Sequence, residues 1–253
     1  MNAPHAKTLL VKVPAVTFLF WTLKILSTTV GETLADTLND GFGFGLAGSA
    51  IIMVGVLLVL LGFQLSLKRY LAAVYWATII AISTVGTLIT DNLHDNFGWQ
   101  NWQSALVFGV VLAIVFAFWW VQERTLSIKT INTRKREAFY WVAILATFAM
   151  GTAGGDVFLD DLGWPLVASS LFFAAIIAVL AILWRSNRLG AVFGFWSIYV
   201  LTRPLGASLG DLLSLDKPEG LGFGPELISW IALGVIGALT IYLSISKRDV
   251  ISE

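Results

Sequence analysis

Trp21, Trp76, Trp141 and Trp196 are each followed ten residues later by a glycine (Gly31, Gly86, Gly151, Gly206) and five residues after that by an aspartate (Asp36, Asp91, Asp156, Asp211). The spacing holds without an insertion, and an aromatic residue precedes every Trp: Phe20, Tyr75, Tyr140 and Phe195. A pattern this long, met four times, marks duplication, so the chain must fold as four copies of one unit. The copies are expected at about 13–70, 71–137, 138–190 and 191–246, within a single membrane domain over 1–253.

Composition decides the medium. The chain has 253 residues, of which 57% are apolar and 13% charged, and a mean hydropathy of +0.82, more oil than a water-soluble core of this length hides. Apolar runs long enough to cross a bilayer, about 20 residues each, fall at 15–38, 46–66, 72–93, 104–121, 138–159, 166–184, 192–213 and 227–245. The expected fold is therefore all-α: a polytopic membrane protein of eight transmembrane helices from four parallel two-helix repeats. The odd helices carry the motif and are expected at the centre. The even ones ("AIIMVGVLLVLLGF", "ALVFGVVLAIVFAFWW") are apolar all round, as lipid-facing helices are. The first run follows Lys7 and Lys12 as a signal peptide would, but it contains Lys24, Glu32 and the motif, so it reads as retained. Thirteen of the sixteen basic residues sit in the two tails and the 2–3, 4–5 and 6–7 connections, which predicts cytoplasmic termini and an inner-membrane location. Net charge is zero, so no basic field points to nucleic acid. There is no Cys, which removes disulfides, thiolate ligands and thiol catalysis.

Each motif position has a structural and a functional reading. The aromatic pairs suit either an interfacial belt or first-turn packing. The glycines, followed four residues on by Ala35, Thr90, Gly155 and Gly210, form small-x3-small notches for close helix contact. The aspartates are either polar helix ends or a site; four anions at helix C-termini run against the helix dipole, which favours the site. Lys24, Thr28, Glu32 and Asp36 step by four along one side of helix 1. Seven residues after each Trp stand Thr28, Ser83, Phe148 and Arg203, and eleven after stand Glu32, Thr87, Thr152 and Ala207. Thr28, Ser83, Thr87 and Thr152 are thus candidate polar lining. Pro204 is expected to kink or open helix 7. Five acids (Glu32, Asp36, Asp91, Asp156, Asp211) against two bases (Lys24, Arg203) leave a surplus that bound cations, protons or water must relieve. Glu32 or Asp36 is expected to pair with Arg203 or Lys24, mainly between helices 1 and 7, with Asp40 outside the site in a loop.

Carboxylates, hydroxyls and carbonyls are hard donors, suited to Mg²⁺, Mn²⁺, Ca²⁺, Na⁺ or H⁺. The two histidines, His5 in the tail and His94 in a loop, do not make a zinc or copper site. No nucleotide or hydrolase motif appears, so neither an enzyme nor a cofactor is expected. The expected function is a small secondary transporter or channel-like carrier for a hard cation (Mn²⁺ or Mg²⁺, or coupled to Na⁺ or H⁺), export included, with the lipid bilayer and the small cation as its partners. Two alternatives stand beside it: a non-transporting scaffold or accessory subunit, and a carrier of a small organic cation held by some of the eleven Trp. Ion, direction, coupling and oligomeric state are left open.

The segments "FWTLKILSTTVGETLAD", "YWATIIAISTVGTLITD", "YWVAILATFAMGTAGGD" and "FWSIYVLTRPLGASLGD" resemble a family of bacterial integral membrane proteins of unknown function. Those proteins are built from four tandem two-helix repeats with a characteristic Trp and are described as membrane-anchored. The resemblance covers nearly the whole chain. It implies the repeat fold and a bacterial membrane location, and it assigns neither substrate nor catalytic residues.

Overall fold

The structure, a computed structural model, describes residues 11–251; Lys7 and His5 lie outside the described residues. It is all-α, with α1 (Phe18–Asp36), α2 (Gly45–Ser66), α3 (Ala72–Asp91), α4 (Asn101–Glu123), α5 (Arg134–Asp156), α6 (Leu166–Arg185), α7 (Ala191–Ser214) and α8 (Pro225–Ser246). Six of these, α2 to α6 and α8, are long and apolar enough to cross a membrane. The other two, α1 and α7, have 19 and 24 residues and carry the odd charges of the chain, Lys24 and Glu32 in one and Arg203 in the other.

Local signals set the helix ends. The Thr17 hydroxyl accepts from the Phe20 amide to open α1, and Thr133 does the same for Arg136 in α5, where capping starts the helix four residues before the apolar run. Pro225 begins α8, where its missing N–H costs no bond. Past the motif aspartates, α1, α3 and α5 continue into single π-helical turns, Thr37–Gly41, Asn92–Asn96 and Val157–Asp161. The fourth copy has none: α7 stops at Ser214. Pro204 does not open α7, which runs unbroken from Ala191 to Ser214. Helix α1 braces this stretch: Thr28 and Thr29 donate to the Thr202 and Gly206 carbonyls on either side of the proline.

The odd helices pack as a closed ring, α1 on α3, α3 on α5, α5 on α7 and α7 back on α1. Each even helix lies against the odd helix that follows it: α2 on α3, α4 on α5, α6 on α7, and α8 on α1. Motif glycines make the ring contacts. Gly31 abuts Ser83, Gly86 abuts Phe148, Gly151 abuts Arg203 and Gly206 abuts Thr28. In every case the glycine meets the residue seven past the Trp of the next helix, and a methyl at Gly31 or Gly206 would overlap the facing side chain. The even helices turn large apolar side chains outward, among them Ile51, Val59, Leu106, Ile114, Leu171 and Ile182.

The belt reading of the aromatic pairs is corrected. Phe20, Tyr75, Trp76, Tyr140, Trp141, Phe195 and Trp196 are buried, and Trp21 alone of the eight is partly exposed. They turn inward because four converging helices leave a gap at this level that only large rings fill. The Tyr75 and Tyr140 hydroxyls meet at 2.5 Å across α3 and α5, and Phe20 lies 6.0 Å from Phe195 across α1 and α7. Beyond this layer, the basic end of the bundle is covered by three segments outside the eight helices. Lys12 N–H donates to Ile131 (2.8 Å) and Ala15 N–H to Asp249 (2.7 Å), tying the N-terminal strap to the α4–α5 connection and the C-terminal tail.

Candidate cation site

Positions four apart on a helix share a face, and in this ring that face is the axis. From the aromatic layer, the next levels are Lys24, Ile79, Ile144 and Tyr199; Thr28, Ser83, Phe148 and Arg203; Glu32, Thr87, Thr152 and Ala207; and Asp36, Asp91, Asp156 and Asp211. The charge increases toward the acidic end. Arg203 is 1% exposed; its Nη2 donates to Glu32 Oε2 at 2.5 Å and also to the Thr87 hydroxyl, which in turn donates to Glu32 at 3.3 Å. Three helices, α1, α3 and α7, therefore meet in one bonded cluster, and the expected pairing of Glu32 with Arg203 is present. The other guanidinium nitrogens, Nε and Nη1, find no acceptor.

Lys24 does not pair with a carboxylate. It is fully buried, its ammonium has no hydrogen-bond partner, and it sits over two rings, 3.9 Å from the centre of Phe148 and 4.3 Å from that of Tyr199. The role expected of it as a counter-ion is corrected on this geometry: Arg203 stands one turn nearer the acids and pairs with Glu32, while Lys24, one turn further away, meets aromatic faces.

Above the Arg203–Glu32 pair opens a cavity of about 620 Å³ lined by all four motif aspartates and Glu32. Asp40, Asp95, Asp160 and Asp216 line it as well, so the wall holds nine acids, with His94 and no Lys or Arg. Asp40 thus belongs to the site, against the expectation that it lies outside. The π-helical turns bring this about by winding the chain one further turn, which keeps Asp40, Asp95 and Asp160 above Asp36, Asp91 and Asp156. The signal was present as an Asp-x3-Asp spacing in three of the four copies. Asn101 Nδ2 donates to Asp160 (3.1 Å) and Asp161 (3.3 Å), orienting part of the rim.

Of the expected polar lining only Thr87 reaches the acids. Thr28 Oγ1 donates to the Ile25 and Thr202 carbonyls. Thr152 turns back on Phe148, and Ser83 is buried against Gly31. None of these three lines the cavity. Among the described residues, no three His, Asp or Glu side chains stand close enough to hold one bare metal ion.

Four stretches, residues 19–70, 74–125, 139–188 and 194–249, match the family described as a repeat of unknown function, DUF347. The chain belongs to this family. No curated protein and no solved structure matches it. Each DUF347 copy contains one ring helix and the even helix after it, so the copies interlock: the even helix of one lies on the ring helix of the next. The motif glycine of each copy is the point of contact around the ring, and its aspartate faces the cavity.

Proposed function

We propose that this protein carries a small hard cation, Mg²⁺ or Mn²⁺, across a bacterial cell membrane. The acidic end faces out, the basic end faces the cytoplasm with both termini, and all eight helices cross. The carrying observation is the acidic cavity closed at its floor by the Arg203–Glu32 pair. A concave wall with nine carboxylates and, among the described residues, no Lys or Arg concentrates cations by focusing the field. The carboxylates are spread over about 620 Å³ rather than gathered on one point. That spacing suits an ion that keeps much of its water shell, as Mg²⁺ does. At the floor, an arriving cation competes with the guanidinium for Glu32, so entry is coupled to moving a tethered positive charge. Enclosure by the ring explains how α1 and α7 cross while carrying charge: Lys24 and Arg203 face protein, not lipid.

Among the described residues no Phe, Tyr or Trp lines the cavity, so the organic-cation alternative lacks the faces it needs. The test is Mn²⁺ entry into vesicles containing the purified protein and a trapped quenchable dye. Entry above protein-free vesicles, competed by Mg²⁺ and lost in Asp36→Asn and Asp211→Asn, is expected. Entry equal to protein-free vesicles for Mn²⁺, Mg²⁺ and Na⁺ replaces the carrier with the scaffold reading.

A further inference from the structure

At the basic end a second carboxylate is held by a second tethered cation. Glu137, in the first turn of α5, is fully buried. Its Oε2 accepts from the Lys12 ammonium at 2.5 Å, and its Oε1 accepts from Gln64 Nε2 of α2 at 3.1 Å. The two bases that precede it by one and two residues are engaged elsewhere: Lys135 and Arg136 both pair with Glu123. Gln64 is itself fully buried, and its Oε1 has no hydrogen-bond partner. A buried ion pair adds little stability over a packed apolar pair, and an idle buried carbonyl oxygen costs free energy. What the two side chains do supply is a dry set of hard oxygen donors, the kind that binds the same cations as the acidic cavity. The positive group now in that set comes from the strap, which has no helical structure over residues 11–17 and is joined to the bundle's connections by main-chain bonds from Lys12 and Ala15.

We propose that Glu137 and Gln64 form a second station for the carried cation, at the basic end, and that the Lys12 ammonium fills it as a tethered stopper. The two ends then work alike, with Arg203 on Glu32 and Lys12 on Glu137 each displaced by the ion it imitates. The proposal rests on the carrier reading, and it adds the point at which the ion leaves or enters the basic side.

Mn²⁺ is the probe, used on the purified full chain in lipid nanodiscs. Lys12→Met vacates the station, so this variant should fill it at about tenfold lower Mn²⁺ than the unaltered protein, where the tethered ammonium competes, and Lys12→Met/Glu137→Gln should lose that site. Identical Mn²⁺ titrations of Lys12→Met and the unaltered chain overturn the station. On the unaltered chain, saturating Mn²⁺ should speed tryptic cleavage after Lys12 by about tenfold, since the released strap becomes the substrate. An unchanged rate also overturns it, whether or not Lys12→Met folds. The carrier reading has its own signature, Mn²⁺ binding that is sensitive to Asp36→Asn and indifferent to Glu137→Gln. Loss of that signal with the Glu137 signal absent defeats both readings, and its presence without the Glu137 signal defeats only the station.

Discussion

Arg203 is the least replaceable side chain in the bundle, because burial leaves it one acidic partner and two of its nitrogens already lack an acceptor. Glu32→Gln removes that partner and strands a guanidinium that is 1% exposed. The expected loss is about 3–5 kcal/mol, read as a lowered thermal midpoint, while Glu32→Gln/Arg203→Met recovers most of the stability and none of the Mn²⁺ entry. Equal midpoints for Glu32→Gln and the unaltered chain would contradict this account of the pair. A milder charge effect sits at the tail. Asp249 is buried and its carboxyl is held above the usual range chiefly by that burial, with the Tyr70 hydroxyl bond at 2.6 Å pulling the other way. A raised acid favours the folded state in its protonated form. Its contribution is therefore complete below the ordinary Asp value of about 4 and fades as pH rises through the folded value. Asp249→Asn should flatten that part of the stability-against-pH curve, measured by thermal melts from acid to neutral pH. The central acids could be read from sequence because equal spacing in equal copies gives equal height. The surroundings of Lys24 could not, since Phe148 and Tyr199 reach it from α5 and α7 and depend on the order of helices around the ring.

The eight helices lie within a few residues of the apolar runs, because an apolar run long enough to cross a bilayer places a helix, while caps shift its ends. Two features at this scale escaped that reading for a physical reason. The π-helical turns follow polar residues that carry no hydrophobic period, so Asp40, Asp95 and Asp160 look like loop residues until the helix is seen to wind past them. Thr28 and Ser83 lie on the expected face, yet at their level the neighbouring helix presents a glycine, and both side chains are buried in helix contact instead of reaching the cavity. This contact gives a direct test. Gly31→Ala places a methyl where the Ser83 side chain now stands, so α1 and α3 must part or Ser83 must shift, at a cost of about 1–3 kcal/mol. Gly234→Ala in α8, where the space is open, should change the midpoint little. Gly31→Ala/Ser83→Gly should restore much of the loss, and its failure to do so would mean that the glycine is not needed for the approach of these two helices.

The ring closes by joining the last quarter of the chain to the first, through α7 and α8 packed on α1 and through the Arg203–Glu32 bond. A fragment ending at residue 187 should therefore fail to accumulate in membranes, whereas coexpressing it with a fragment beginning at residue 188 should recover both as a complex that copurifies. Stable accumulation of the first fragment alone would show that the first three copies suffice. The same closure sets a schedule for synthesis. Glu32 and Arg203 are 171 residues apart, and at ribosomal speeds of about 5–20 residues per second the acid waits on the order of ten to thirty seconds for its base. Throughout that interval α1 carries Lys24 and Glu32 with nothing to neutralise them, a state that hydrocarbon rejects. Where α1 crosses the bilayer, as proposed, the first helix made is thus the last one neutralised, and it has to be sheltered at the protein–lipid boundary until the final hairpin is delivered.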